Sequence, residues 1–382
     1  MAVISFKCPN CDGELIFDPS TQKYKCEYCF SLFSQEELDA MKPAQTTEPQ
    51  NADAAGAGKA SGKPEDEKQS QPGNKADSGT EKDNTENKES DKEADAVTYT
   101  CPSCGAQIVT DATTAATFCY YCHNPVVLGG RLEGKFLPDQ VIPFSVSREE
   151  AEKGFKDYVC RKKFVPRAFY NKKQVESITG VYFPYWHYNT SLEGNMQGEA
   201  RNVRVWRTGN TEYTETKYYQ VSREGDVKLE NLMENALGKA NQELICGVMP
   251  YDFKDVKKFQ LGFLSGFLAE KRDIEKKQIE KKVQQEARES AEKLMREQIN
   301  GYSSVSVKNA DFRALKEKWS YTLLPVWTIT YKAKNGKIYY FSMNGQTGKV
   351  YGELPTDYKK ISLISGIVSL VTLIILLLGG LA

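Results

Sequence analysis

The stretch ISLISGIVSLVTLIILLLGGLA, residues 361–382, decides how the rest of the chain is to be read. None of its 22 residues is charged, and Lys359 and Lys360 stand directly before it. At 1.5 Å per helical residue the segment reaches about 33 Å, enough to cross a bilayer core. The sequence opens Met1-Ala-Val-Ile-Ser-Phe-Lys7 and meets a cysteine at position 8, without an apolar leader. The expectation is a single-pass cell-membrane protein anchored in lipid by residues 359–382, with its N-terminal bulk facing the cytoplasm. The flanking lysines agree with that orientation.

Outward from the anchor, a chain of 382 residues has room for two or three domains. Its 51 basic side chains balance its 51 acidic ones, which argues against a strongly basic nucleic-acid binder. Eight of the ten cysteines fall in four Cys-x-x-Cys pairs, leaving Cys160 and Cys246 single. On the cytosolic side such thiols hold metal rather than form a disulfide framework. The two histidines, His123 and His187, are scant material for histidine-based catalysis.

Cys8-Pro-Asn-Cys11 is followed by fourteen residues and then Cys26-Glu-Tyr-Cys29. Cys101-Pro-Ser-Cys104 is followed by fourteen residues and then Cys119-Tyr-Tyr-Cys122. Each pair presents two thiolates from one tight knuckle, and two knuckles complete a tetrahedral four-sulfur site. The spacing predicts two zinc ribbons and two structural Zn2+ ions, with iron as the rival metal. Gly13 and Gly105 sit where a positive φ is easily met. Four protein ligands leave no open position for water, and in so small a module the metal supplies most of the folding energy. His123 is read as knuckle surface.

Residues 1–41 carry three lysines and seven acidic residues, and residues 98–135 two of each sign. A phosphate-contacting surface needs lysine and arginine in excess, so protein contact is preferred. Tyr28, Phe30, Tyr120 and Tyr121 keep base stacking open as the alternative. Between the ribbons, residues 43–97 lack aromatic residues and hold 13 acidic against 7 basic side chains. That composition predicts a disordered linker spanning roughly 40–45 Å, on which the first ribbon searches a volume around the membrane-held body.

In the body, Gln140–Phe144 reads as a strand, and Ser147 caps a helix through Tyr158. Strand-like runs follow at 164–170, 181–189, 203–206 and 211–219. The stripe Leu229, Leu232, Met233 and Leu237 suggests a short helix over 228–238. Phe183-Pro-Tyr-Trp186 is echoed by Leu324-Pro-Val-Trp327, offset by 141 residues, and is read as a weak internal repeat. Asn335-Gly336 signals a hairpin turn, and Asn344–Lys349 a further turn. From about Phe263 to Asn300 a thin apolar stripe in charged sequence predicts a long helix of about 57 Å, packed at its start and exposed later, where it can pair with a partner helix as a coiled coil.

The fold class is therefore multidomain: two small zinc ribbons (1–42 and 98–135), the disordered acidic linker (43–97), an α+β body with antiparallel sheet (136–260 and 301–358), one long charged helix (261–300) and a single C-terminal transmembrane helix (359–382).

Cys101-Pro-Ser-Cys-Gly105, Phe183-Pro-Tyr-Trp186, Leu264-Ser-Gly-Phe-Leu-Ala-Glu270, Leu324-Pro-Val-Trp327 and Asn344-Gly-Gln-Thr-Gly-Lys349 together resemble a bacterial family of membrane-associated proteins with a transcription-factor-IIB-type zinc ribbon. The chain is also similar to the zinc-ribbon membrane protein encoded beside phage-shock-like and flotillin-like (SPFH) proteins in Gram-positive bacteria. That resemblance implies an adapter recruiting envelope-stress proteins to the membrane. The helicase label sometimes given to such chains has no support, since no Gly-x-x-x-x-Gly-Lys-Ser/Thr loop is present.

An enzyme needs convergent groups. His187 with Glu193 or Glu199 is the nearest candidate set, and a strand histidine between aromatics is more often structural. The expectation is no enzyme and no small-molecule substrate. The protein is read as a membrane-tethered scaffold for cytosolic or membrane proteins, with a nucleic-acid-binding zinc-ribbon protein held at the membrane as the alternative.

Overall fold

A computed structural model of the chain describes residues 3–41, 97–101, 107–110, 112–119, 124–132, 134–166, 169, 177–239, 246–332 and 337–379. The linker expected at 43–97 lies outside them, apart from Val97, which begins a strand. So do the turn at Asn335-Gly336, the ligands Cys104 and Cys122, and His123, Tyr120 and Tyr121.

The N-terminal segment supplies β1 (Val3–Ile4), then β2 (Leu15–Asp18), β3 (Lys23–Cys26) and β4 (Leu32–Phe33), of which the last three form an antiparallel sheet. Helix α1 (Gln35–Met41) follows. Its start is a capping box, with Glu37 N–H donating to Ser34 Oγ and Ser34 N–H to the Glu37 carboxylate. Among the described residues, strands β5 (Val97–Thr100) and β6 (Gln107–Thr110) pair only with each other. β7 (Thr114–Phe118) and β8 (Pro125–Leu128) instead join the main sheet, and β1 adds to the edge of β8.

The body runs β9 (Gln140–Val141), α2 (Arg148–Cys160), β10 (Thr179–Thr208), β11 (Thr211–Asn235), β12 (Lys257–Lys258), β13 (Leu268–Glu270), α3 (Lys276–Glu297), β14 (Ser304–Lys332), β15 (Ile338–Asn344) and β16 (Val350–Gly352), ending in α4 (Tyr358–Gly379). Strand β10 pairs antiparallel with β11 and β14 and parallel with β13, while β9 runs parallel to β14. The sheet expected to be antiparallel is thus mixed. Ser147 caps α2 as anticipated, in a capping box with Glu150.

The long helix expected over 261–300 is shorter. Leu261–Leu264 forms a single 3-10 turn, Leu268–Glu270 is strand β13, and only Lys276–Glu297 is α-helical. Gly266, at φ +89, breaks the apparent periodicity between them. Along α3 the buried residues Ile279, Val283, Ala287, Ala291 and Met295 recur every fourth position. They share a core with Leu192, Met196 and Phe312 of the sheet. The expected exposed second half, with a free coiled-coil face, is replaced by packing along the whole stripe. At Gly194 of β10, a Cβ would lie 2.6 Å from the Phe312 ring and 2.7 Å from the Met295 sulfur, so a larger residue fits only if those side chains shift.

Where a short helix is expected at 228–238, residues 228–235 are strand, the end of β11. A bulge between Tyr188 and Thr190 of β10 sets two residues of β11 against one, and Asn231 adopts φ 61. The Asn189 carboxamide oxygen accepts from its N–H at 2.6 Å. The extra residue breaks strand alternation, so Leu229, Leu232 and Met233 mimic a helical stripe.

Phe183 lies opposite Leu324 within the β10–β14 ladder, so Pro184 faces Leu323 and Pro325 faces Tyr182. Trp186 Nε1 donates to Ile274 O at 2.9 Å just ahead of α3, and Trp327 Nε1 donates to Val146 O at 3.0 Å just ahead of α2. Ala236 O accepts from the N–H groups of Asp273 and Ile274, and Gly345 O from those of Ser145 and Val146. Helix α3, like α2, opens on a capping box, here Glu275 with Gln278.

Helix α4 is long and apolar enough to span a membrane, and none of that span is buried against the body. It supports a single-pass membrane topology.

Candidate metal centre

Cys8 and Cys11 flank the turn before β2, and Cys26 and Cys29 the turn after β3. Their four sulfurs lie within 4.8 Å of one another. The separations of 3.6 Å for Cys8–Cys29 and 3.5 Å for Cys11–Cys26 are near the edge of about 3.8 Å that a tetrahedron with 2.3 Å Zn–S bonds requires. They are far from disulfide contact. The arrangement fits one structural zinc ion held by four thiolates.

The two knuckles are built alike. Cys8 N–H donates to Gly13 O and Asp12 N–H to Cys8 O, while Cys26 N–H donates to Ser31 O and Phe30 N–H to Cys26 O. The left-handed position falls on Asp12 (φ 57) and Phe30 (φ 59), one residue past the second cysteine of each pair. Gly13, expected to supply it, is needed for space instead: its Cβ would stand 2.7 Å from the Tyr28 ring and 3.1–3.2 Å from two ligand sulfurs. Sequence reasoning also passed over Ser31. Its hydroxyl, 3.2 Å from Cys29 Sγ, and then its backbone N–H, hold the Cys29 thiol down to about 6. Burial pushes the Cys8 thiol up. Metal binding requires all four as thiolates.

Of the second predicted set, Cys101 and Cys119 are buried, while Cys104 and Cys122 lie outside the described residues. Cys119 N–H donates to Asn124 O at 2.9 Å, the same bond that Cys8 makes to Gly13. Among the described residues a single four-sulfur group is complete.

The first ribbon is fastened to the body, which corrects the expectation of a module searching on its tether. Phe17 N–H donates to Ser265 O, and Ser265 Oγ donates back to Leu15 O at 2.5 Å. The Phe17 ring meets Phe263 edge-on at 5.2 Å, and Tyr24 closes so tightly over Gly262 that a Cβ there would lie 2.4 Å from its hydroxyl. Buried Glu14 accepts from Asn124 Nδ2 at 2.8 Å, joining the two cysteine regions. At the second cysteine turn and just after it, Tyr28 is 74% exposed, Phe30 69% and Leu32 44%.

The catalytic set weighed in the sequence is not assembled. His187 is buried, with Nδ1 3.0 Å from Gln140 Nε2, Nε2 3.1 Å from Asn231 Oδ1 and its ring stacked on Phe253 at 4.2 Å. Burial holds its pKa below the usual imidazole value, partly offset by the Asn231 bond. Glu193 pairs with Arg313 at 2.7 Å and Glu199 with Lys308 at 3.5 Å. The Asn344–Lys349 segment is a turn between β15 and β16, with the Asn344 side chain bonded to Val248 O and Pro250 O.

No family model matches the chain, and no solved structure matches it. It is similar to the Bacillus subtilis (strain 168) protein YdjG, described as uncharacterized. The identity is 29% over 259 residues, covering 66% of this chain and 76% of that protein.

Proposed function

We propose that the protein is a membrane-tethered adapter, facing the cytoplasm, whose ribbons offer docking surfaces to cytosolic or membrane proteins. The observation that carries this reading is the Tyr28, Phe30 and Leu32 patch. Tyr28 and Phe30 lie at the second cysteine turn and Leu32 on the strand that follows it, and all three large apolar side chains are exposed. Four thiolates fill a zinc coordination sphere, so the metal shapes a surface and performs no reaction. The knuckle bond at Cys119 supports a second structural ion held by Cys101, Cys104, Cys119 and Cys122. The matched contacts of Trp186 with Trp327, Ala236 with Gly345, and the two capping boxes support a duplicated β-α-β-β unit. SPFH and phage-shock-like proteins are the first partners to test, given the family that the motifs resemble.

The test is a photo-crosslinking residue at position 28 or 30 of the full chain in native membranes, with position 228 on β11 as control. Discrete protein adducts at 28 and 30, absent at 228 and lost in Cys8→Ser, are expected. Equal labelling at all three positions, or adducts removed by nuclease, would overturn the reading.

A further inference from the structure

We propose that the cleft between the end of α2 and the first turn of α4 binds the phosphate-bearing headgroup of an anionic phospholipid. The cleft holds about 530 Å³, within the range of small-ligand sites. Arg161, Lys162 and Lys163 line it together with apolar Phe164, Leu354 and Ile361.

Three observations converge. The first is height. Ile361 is the first residue of the uncharged stretch and also a wall of the cleft, so the cleft opens where the hydrocarbon ends and headgroups begin. The second is rigidity. Asp357 N–H donates to Phe164 O at 2.7 Å and Lys360 Nζ to Val165 O at 2.9 Å, so no slack separates the anchor from this wall of the body.

The third is charge. Arg161, Lys162 and Lys163 are exposed and form no ion pair among the described residues, and Lys359 adds a further cation at the helix start. The nearby acids are Asp157, Asp357 and Glu353. Asp357 is paired with Lys360 at 3.6 Å and Glu353 with Lys337 at 3.3 Å. Unpaired cations at the membrane surface attract anionic lipid, and apolar walls beside them suit the glycerol and upper acyl carbons rather than a fully hydrated anion. The inference rests on α4 being a membrane anchor and is independent of what docks on the ribbons.

Full-length protein in non-ionic detergent is titrated with short-chain phosphatidylglycerol, short-chain phosphatidylcholine or inorganic phosphate, and bound ligand is read by native mass spectrometry. Saturable binding of phosphatidylglycerol, at least about tenfold tighter than phosphatidylcholine, is expected. Removing three exposed charges in R161Q/K162Q/K163Q should lower that affinity on the order of 100-fold. Leu354→Trp, which fills the cleft and leaves every charge in place, should also abolish binding. Equal binding of the two lipids overturns the proposal, as does an unchanged charge variant. Retention in Leu354→Trp would mean surface attraction without a cleft, and displacement by millimolar inorganic phosphate would mean a site for the free anion; either result refutes it.

Discussion

Phe17→Ala tests whether the first ribbon and the body are one cooperative unit. The Phe17 side chain is 3% exposed, with its ring 5.2 Å from Phe263 of the body and 5.7 Å from Tyr24 of the ribbon. Truncating a phenylalanine so enclosed costs about 3–5 kcal/mol. The metal ligands are untouched, so metal content should stay at the wild-type value. All four tryptophans, Trp186, Trp206, Trp319 and Trp327, lie on β10 and β14, so their emission reports on the body alone. If the loss is transmitted across the Phe17–Phe263 seam, the tryptophan midpoint should drop by roughly 6–20 °C, at about 2–4 °C per kcal/mol for a unit of this size. The assay is a thermal melt of the full chain in detergent. A tryptophan transition that overlays the wild type, with only the ribbon loosened, would show two independent modules and refute the reasoning.

The other predictions concern the sheet. Trp186→Phe and Trp327→Phe each remove one indole donor from a helix-entry carbonyl and should cost similar amounts, about 1 kcal/mol each, in chemical denaturation followed by circular dichroism. Gly194→Ala forces a methyl against Phe312 and Met295 and should cost about 1–3 kcal/mol, with Met295→Ala in the same chain recovering part of the loss. His187, held neutral mainly by burial, resists protonation in the folded state more than in the unfolded one. Its contribution should be complete above about pH 6.5 and decline as the pH falls from there toward the lower folded value. Melting temperatures across that interval should flatten in His187→Gln; an unaltered slope would contradict the assignment.

The first metal centre was legible because its chemistry fixes its spacing: two thiolates need a tight turn, and two turns need strands of fixed length between them. Ser147 was legible for a similar reason, since its side chain answers a local need for N–H partners. The errors arose where distant contacts outweigh local pattern. Phe263 and Phe267 have helical spacing, but each is drawn into the core beside Phe17, Phe144 and Trp327, and Gly266 bends the chain between them. At Asn231 one added residue changes which face the following side chains take, something no periodicity count anticipates. The docking of the first ribbon was invisible in its composition, because the surface that receives it, Gly262–Ser265, is encoded far away.

That separation governs how the molecule must be made. Leu15 and its partner Ser265 are 250 residues apart in sequence. At about 5–20 residues per second, a ribosome needs roughly 12–50 s to deliver one after the other. Throughout that interval the nascent ribbon has the apolar side chains of Leu15, Phe17 and Tyr24 without the body surface that buries them. An ion captured by Cys8, Cys11, Cys26 and Cys29 at that stage would hold the ribbon in shape until its seat in the body is made.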